Sequence, residues 1–166
     1  MSKTLWAPWR MEYLLSAEKP NGCIFCSATA NGPKGLEESL VLSTRQHSFV
    51  IMNRYPYAHG HIMVVPRKHV SKLSILSSDE RCCLFDLTAD SQKALEQTLG
   101  CQGMNMGMNL GKCGGAGIAD HIHVHLVPRW EGDTNFMPLI ADVRVMPEHL
   151  HNTYKTLQAG FGALSK

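Results

Sequence analysis

The chain has 166 residues, a hydrophobic content of 44%, a charged content of 18% and a formal net charge of +2 at pH 7. These values are typical of one globular domain and exclude a long disordered chain. A balanced charge without basic runs gives no electrostatic reason for nucleic-acid binding, and no stretch reaches the ~18 apolar residues of a membrane helix. We therefore expect a single domain over residues 1–166, with neither nucleic acid nor a membrane as its partner.

The N-terminal segment, "MSKTLWAPWRMEYLLSAEKP" (1–20), carries two of the three tryptophans and is interpreted as an aromatic arm. Charged residues and a proline interrupt its apolar residues, so the continuous apolar core of a signal peptide is lacking. We expect a cytoplasmic protein, in which cysteines are reduced thiols or metal ligands and not disulfides. The cysteines are Cys23, Cys26, Cys82, Cys83, Cys101 and Cys113.

The first half of the chain has the pattern of antiparallel strands. The small, polar stretch 27–35 predicts a loop. Residues 39–53 predict two short strands around a turn at 45–47. The apolar run 62–65, closed by Pro66, predicts the interior of a further strand.

A long helix is predicted over residues 78–99, with Ser78 as its N-cap and Gly100 as its stop, because leucines and alanines recur at helical spacing. Two strands, at 103–111 and 121–128, and a C-terminal helix at 147–161 follow. The sum predicts an α+β fold: an antiparallel sheet of about five strands, one long helix and one C-terminal helix.

The stretch "DHIHVHLVPRW" (120–130) places histidines at alternate positions of the last predicted strand. Alternate strand side chains share a face, so His121, His123 and His125 would lie in one row about 6.5 Å apart. The intervening apolar residues would pack against the long helix. Three imidazoles on one face favour a functional surface, because each has a donor and an acceptor to satisfy and titrates near neutral pH.

A glycine-rich loop, "GKCGGAG" (111–117), comes directly before the histidines. Glycines let backbone N–H groups approach an anion closely. Together, the loop and the imidazoles predict a phosphate-binding pocket in which one histidine attacks phosphorus.

The motif Cys23-x-x-Cys26 has the spacing of two thiolates on a tetrahedral zinc ion. A redox-active pair is less favoured, because no thioredoxin-like pattern surrounds it. His69 and His121 are candidates by position for the other two ligands, with Cys101 and Cys113 as competitors. An open catalytic zinc site made by the histidine row is a further alternative, but it leaves the cysteine pair without a purpose.

The motif from His121 to Val127, followed by Pro128 and Arg129, resembles the signature of the histidine triad family, in which three histidines alternate with apolar residues. "VIMNRYPYAHGHIMVVPRKH" (50–69) resembles the second sequence block of that family, and "CIFC" resembles the start of its zinc-containing bacterial members. The resemblance spans the core motifs in residues 22–130. The segments "LWAPWRMEY" and "GDTNFMP" (132–138) resemble a bacterial branch of dinucleoside polyphosphate hydrolases and phosphorylases, and residues 131–166 are then a C-terminal extension with a helix.

The resemblance implies a histidine triad fold and catalytic roles for three histidines. His123 would be the nucleophile on the α-phosphate of a nucleotide, His125 would bind a phosphate oxygen, and His61 would complete the cluster. It also implies a structural zinc ion and a homodimer. The implied nucleotide-binding positions are Asn53, Asn109, Gly115 and Gly117; the implied zinc ligands are Cys23, Cys26, His69 and His121.

One departure from the family pattern concerns the loop before the histidines. Many members have Gln-Ser or Gln-Thr where this chain has Gly117 and Ile118, and the loop is one residue longer here. A side-chain hydroxyl contact to phosphate is therefore missing, and backbone amides would replace it.

The predicted function is hydrolysis or nucleotidyl transfer at the α-phosphate of a dinucleoside polyphosphate or a related nucleoside phosphate, such as a nucleoside monophosphate derivative, through a covalent nucleotidyl-histidine. One alternative is a phosphorylase that uses inorganic phosphate instead of water. A nucleotide-binding or sensing protein with little turnover is another, and a zinc hydrolase is a third.

Overall fold

The computed structural model describes residues 22–30, 32–133 and 148–164. The predicted aromatic arm (1–20) and part of the predicted C-terminal extension lie outside the described residues. The helices are α1 (Ile24–Ala28), α2 (Gly32–Glu38), α3 (Ser78–Leu99) and α4 (Leu150–Leu164). The strands are β1 (Val41–Thr44), β2 (Ser48–Met52), β3 (Ile62–Pro66), β4 (Gly103–Gly107) and β5 (Val124–Arg129).

The five strands form one antiparallel sheet in the order β1-β2-β3-β5-β4. The β3–β5 pairing brings Met63 opposite His125, and the β4–β5 pairing brings Gly107 opposite the same histidine. The predicted α+β fold with about five strands, one long helix and one C-terminal helix is confirmed. None of the helices in the described ranges is long and apolar enough to cross a membrane.

The two faces of the sheet bury two separate apolar clusters. On one face, Ile122, Val124 and Leu126 pack in one cluster with Leu84 and Leu87 of α3, as the alternation predicted. The second cluster, which we call the Phe25 cluster, comprises Phe25, Ala28, Val41, Phe49, Ile51, Met63 and Val65. Each fully buried large apolar side chain contributes ~1.5–3 kcal/mol relative to an exposed one. Because side chains alternate along β5, His125 lies on the other face of the sheet from the residues that pack against α3.

The N-cap of α3 is Ser77, so the prediction of Ser78 was wrong by one residue. Ser77 Oγ accepts a hydrogen bond from the Glu80 amide at 3.2 Å, and the Glu80 carboxylate accepts one from the Ser77 amide at 2.7 Å. This reciprocal capping box needs an acidic residue three positions after the cap, which Ser77 has and Ser78 lacks. Gly100 ends the helix as predicted, with φ of +60°.

The predicted loop at 27–35 is wrong, because the range contains the end of α1 and the start of α2. Phe25 and Ala28 of α1 are buried in the Phe25 cluster, and Leu36 of α2 packs against it. Tertiary packing of these apolar side chains thus outweighs the turn-like composition between them.

Several predicted boundaries also differ. Strand β5 begins at Val124, because Ile122 donates its amide hydrogen bond to the Val70 carbonyl at 2.8 Å and not to a neighbouring strand. Strand β4 ends at Gly107 and not at residue 111. Helix α4 runs Leu150–Leu164, three residues beyond the predicted end; Pro147, its predicted start, is outside the described residues.

Candidate active site and metal centre

His123 lies directly before β5 and is only 5% exposed. Its Nδ1 atom is 2.9 Å from the backbone carbonyl oxygen of His121. A carbonyl oxygen only accepts, so Nδ1 must carry the proton and Nε2 keeps a lone pair. Burial also lowers the pKa of His123 below its usual range, which favours the neutral ring. The side chain is therefore held in the form that a nucleophile requires.

His61 and His125 form a directed hydrogen-bonded pair. The Tyr57 amide donates to His61 Nδ1 at 3.1 Å, so the remaining proton of a neutral His61 is on Nε2. That Nε2 lies 3.0 Å from His125 Nδ1 and donates to it, which leaves the His125 proton on Nε2. Burial, followed by the nearby His125 and His123, lowers the pKa of His61 to about 3, so His61 is neutral at physiological pH.

Ring contacts join these three histidines into one cluster. The ring centroids of His123 and His125 are 4.7 Å apart, and Tyr57 stacks on His61 at 4.7 Å with an interplanar angle of 26°. The structure thus brings together the three residues predicted to be catalytic. His61 is 0% exposed, and its Nε2 atom contacts His125.

Asn53 lies beside the same cluster. Its side-chain oxygen accepts from the Tyr55 amide at 2.9 Å, and its side-chain nitrogen is 3.3 Å from His61 Nδ1. These contacts orient the amide at the edge of the histidine cluster, which is compatible with the predicted ribose contact.

The other predicted nucleotide-binding positions lie between β4 and β5. Gly115 has φ of +81°, in the left-handed region that favours glycine. Ile118 packs against the Phe25 cluster and anchors the end of the loop, which gives this departure from the family pattern a structural role. The described contacts do not connect Asn109, Gly115 or Gly117 to the histidines, and their roles stay predictions.

The four predicted zinc ligands converge. Their ligand atoms, on Cys23, Cys26, His69 and His121, all lie within 4.8 Å of one another. Cys23 Sγ is 3.3 Å from His121 Nδ1, Cys26 Sγ is 3.3 Å from His69 Nδ1, and the two Nδ1 atoms are 3.2 Å apart. Tetrahedral zinc with bonds of about 2.0 Å to nitrogen and about 2.3 Å to sulfur separates its ligand atoms by about 3.3–3.8 Å. The donor set therefore fits zinc.

The orientation of His121 supports the same interpretation. Its Nε2 donates to the Pro66 carbonyl at 2.8 Å, so the lone pair of the neutral ring is on Nδ1, which faces the cysteines. A backbone carbonyl in this position is the usual outer-shell partner of a metal-bound histidine.

The geometry disfavours the competing metal sites. Within the described ranges, Cys101 and Cys113 are not part of the four-residue cluster. Cys101 packs instead against the apolar cluster that contains Leu84 and Leu87 of α3. The Nδ1 atoms of His123 and His125 are engaged with a carbonyl and with His61, whereas His121 Nδ1 faces the cysteines. The histidine row is therefore divided between two sites.

Two contributors to the site were missed by sequence reasoning. The Tyr57 amide sets the tautomer of His61, and a backbone contact of this kind leaves no signal in residue type. Phe25 contacts both His121 and His123 with its ring. Its place between the two cysteines was a signal that it would lie near the metal site.

Comparison with known proteins gives consistent results. A model of the HIT domain family matches residues 34–132. An AP-4-A phosphorylase of Mycobacterium tuberculosis is 37% identical over 158 residues, which covers 92% of this chain and 81% of the relative.

Two solved structures share the fold. A Zn-bound histidine triad family protein from Mycobacterium smegmatis has a TM-score of 0.67 at 20% identity and covers 87% of this chain and 96% of its own. A hypothetical histidine triad nucleotide-binding protein from Sulfolobus tokodaii has a TM-score of 0.68 at 24% identity, with coverages of 86% and 94%. The family model, the relative and the observed fold agree: the chain belongs to the HIT domain family.

Proposed function

We propose that the chain is an enzyme that cleaves a dinucleoside polyphosphate at its α-phosphate, through a covalent intermediate on His123. The observation that carries this proposal is the hydrogen bond from His123 Nδ1 to the His121 carbonyl, because it leaves Nε2 as a neutral nucleophile. The relationship to an AP-4-A phosphorylase supports the substrate class.

In the first displacement, His123 Nε2 forms a bond to the α-phosphorus, and the bond from phosphorus to the bridging oxygen breaks. The rest of the substrate leaves as a nucleoside polyphosphate. His125 carries its proton on Nε2 and is placed to donate it in a hydrogen bond to a phosphate oxygen. A preorganised donor of this kind stabilises developing charge by ~3 kcal/mol.

His61 and the loop complete the proposed site. His61 accepts from the Tyr57 amide and donates to His125, and so fixes the tautomer of His125. The amides of Gly115 and Gly117 would bind phosphate oxygens, Asn109 would face the phosphates, and Asn53 would contact the ribose.

In the second displacement, an acceptor attacks the phosphorus of nucleotidyl-His123 and the bond to nitrogen breaks. Water as acceptor yields a nucleoside monophosphate, and inorganic phosphate yields a nucleoside diphosphate. Phosphorolysis is the second candidate function, and the AP-4-A phosphorylase similarity over 92% of the chain favours it.

Zinc is proposed as a structural cofactor, held by Cys23, Cys26, His69 and His121. Four protein ligands complete a tetrahedral site, so the metal would stabilise the fold and leave no position for a reacting water. The distances among the ligand atoms and the Zn-bound histidine triad protein support this assignment.

We propose a homodimer on the basis of one exposed edge of the sheet. Strand β4 is an edge strand, and Met106 and Leu110 on and after it are 53% and 52% exposed. An edge with exposed apolar side chains favours pairing with a second copy.

We also propose a cytoplasmic location, because all six cysteines are free thiols and two of them are candidate metal ligands.

Trapping of the covalent intermediate tests the proposed chemistry. The enzyme is mixed with a small excess of a dinucleoside tetraphosphate labelled at the α-phosphorus, quenched within milliseconds in alkali, and digested for peptide mass analysis. We expect a nucleotidyl group on the peptide that contains His123. Two displacements retain the configuration at a chiral α-phosphorus, whereas one displacement inverts it. Turnover with no adduct at any quench time, together with net inversion of configuration, would overturn the proposal.

A further inference from the structure

Phe25 connects the candidate metal centre to the proposed nucleophile. It lies on α1 between Cys23 and Cys26 and is 0% exposed. Its ring centroid is 4.9 Å from that of His123, at an interplanar angle of 51°, and 5.4 Å from that of His121, at 77°. These distances are within the range of attractive aromatic contacts. The side chain between the two cysteines thus forms part of the wall against which His123 rests.

His121 provides a second connection through a single residue. Its Nδ1 atom faces Cys23 Sγ at 3.3 Å, and its backbone carbonyl accepts from His123 Nδ1 at 2.9 Å. The Pro66 carbonyl holds the far side of the His121 ring at 2.8 Å. A ligand on Nδ1 therefore fixes the ring and the backbone that orients His123.

Helix α1 depends on such anchoring. It has five residues, and Cys23 at its N-cap makes no side-chain capping hydrogen bond. A helix of this length is not stable alone, so its position is set by tertiary contacts. Linking Cys23 and Cys26 to His69 and His121 would tie α1 to the segments that follow β3 and precede β5.

We propose that the metal centre positions the nucleophile: zinc at the four ligands holds Phe25 and His121 so that His123 keeps one rotamer and one tautomer. This proposal rests on the proposed zinc site and on His123 as nucleophile, and it makes Phe25 a positioning residue. The tautomers of His61 and His125 are set separately, by the Tyr57 amide.

The first test follows the histidine tautomers by long-range ¹H–¹⁵N NMR of the full chain, with zinc bound and after removal of zinc by a chelator. With zinc, His123 is expected to show one neutral tautomer with the proton on Nδ1. After removal, its two ring-nitrogen signals are expected to move toward each other as both tautomers become populated. The signals of His61 and His125 are expected to stay in place, which provides an internal control.

A matched pair of variants covers the case in which removal of zinc unfolds the chain. Phe25→Leu and Phe49→Leu make the same substitution in the same apolar cluster, but of these two side chains Phe25 is the one with a described ring contact to His123. Both zinc-loaded variants are expected to keep one zinc per chain. Phe25→Leu is expected to mix the His123 tautomers and to lower kcat by roughly tenfold or more with KM within about twofold, since misplaced reacting groups lose rate and not binding. Phe49→Leu is expected to change neither the His123 tautomers nor kcat.

The outcomes separate this inference from the proposed function. Unchanged His123 signals after zinc removal, or equal effects of the two Phe→Leu variants, would overturn the positioning role and leave the nucleophile in place. Absence of bound zinc in the wild-type chain, even after addition of zinc, would overturn both the metal site and the coupling. If His123→Asn retains full turnover, the nucleophile is wrong whatever the NMR result, and the positioning role falls with it.

Discussion

The Nε2 atom of His61 lies 3.0 Å from the Nδ1 atom of His125, and the direction of that hydrogen bond follows from the other side of the His61 ring. There, the Tyr57 amide donates to His61 Nδ1 at 3.1 Å. A buried, neutral histidine thereby determines which nitrogen of its neighbour carries the proton.

The buried His61 predicts a dependence of stability on pH. Its pKa in the folded chain is about 3, against an ordinary value of 6.5. As pH falls, the unfolded chain binds a proton at His61 at a higher pH than the folded chain does. The stability that buried, neutral His61 contributes is therefore fully present above about pH 6.5 and is lost as pH falls from about 6.5 to about 3. Burial lowers the pKa of His123 and His121 too, and these act in the same direction.

His61→Asn is expected to flatten this dependence, because Asn does not titrate and its side-chain oxygen can accept from the Tyr57 amide. Urea midpoints between pH 7.5 and pH 4 measure the slope. His151→Asn, at an exposed position of α4, is the matched control and is expected to keep the wild-type slope. Equal slopes for wild type and His61→Asn would contradict the prediction.

His123→Asn is expected to lower kcat by ~10⁴-fold or more, since the proposed nucleophile is removed. The Asn amide can still donate to the His121 carbonyl, so the thermal midpoint is expected to stay within a few degrees of wild type. Initial rates on a dinucleoside tetraphosphate and a thermal melt measure the two quantities. A folded variant with near-wild-type turnover would exclude His123 as nucleophile.

Elemental analysis of protein purified without chelators is expected to give one zinc per chain. Cys26→Ser is expected to lose it, because a neutral hydroxyl is a much weaker zinc ligand than a thiolate. Cys113→Ser, also at an exposed cysteine, is expected to retain it. Chelation is expected to lower the melting temperature of the wild type, since metal bound only to the folded state stabilises it. Equal zinc contents in both serine variants would contradict the site.

The acceptor in the second displacement can be identified from its product. With adenosine on both sides of a tetraphosphate, both routes release ATP first, but water then yields AMP and phosphate yields ADP. We expect ADP to replace AMP as inorganic phosphate is raised to millimolar concentrations. Product separation by chromatography measures the ratio, and AMP alone at every phosphate concentration would identify a hydrolase.

Substitution at the sheet edge tests the proposed homodimer. Met106→Lys combined with Leu110→Lys is expected to shift the sedimentation coefficient from that of a dimer to that of a monomer. Phe85→Lys, on α3, is a control of matched exposure at 50% and is expected to leave the dimer intact. A monomeric wild type at micromolar concentrations would overturn the proposal.

Most elements of the fold could be predicted because burial follows local periodicity. Ile122, Val124 and Leu126 alternate, and all three pack on the α3 side of the sheet. The wrong prediction of a loop at 27–35 depends on longer-range contacts: the range contains helical residues because Phe25, Ala28 and Leu36 pack together against the sheet. The wrong N-cap of α3 depends instead on a local contact, the capping box between Ser77 and Glu80.

The sequence by itself determined which residue types the site contains: the alternating histidines, the cysteine pair and the glycine-rich loop are local patterns. Only the tertiary structure decided how the histidines are divided. His121 turns Nδ1 to the cysteines because its Nε2 donates a hydrogen bond to the Pro66 carbonyl, 55 positions away, while His123 turns Nδ1 to a carbonyl and keeps Nε2 unprotonated. The reason is that ring orientation and tautomer depend on which hydrogen-bond partner the fold brings to each ring nitrogen, whether it is two or 55 positions away, and residue spacing does not specify this.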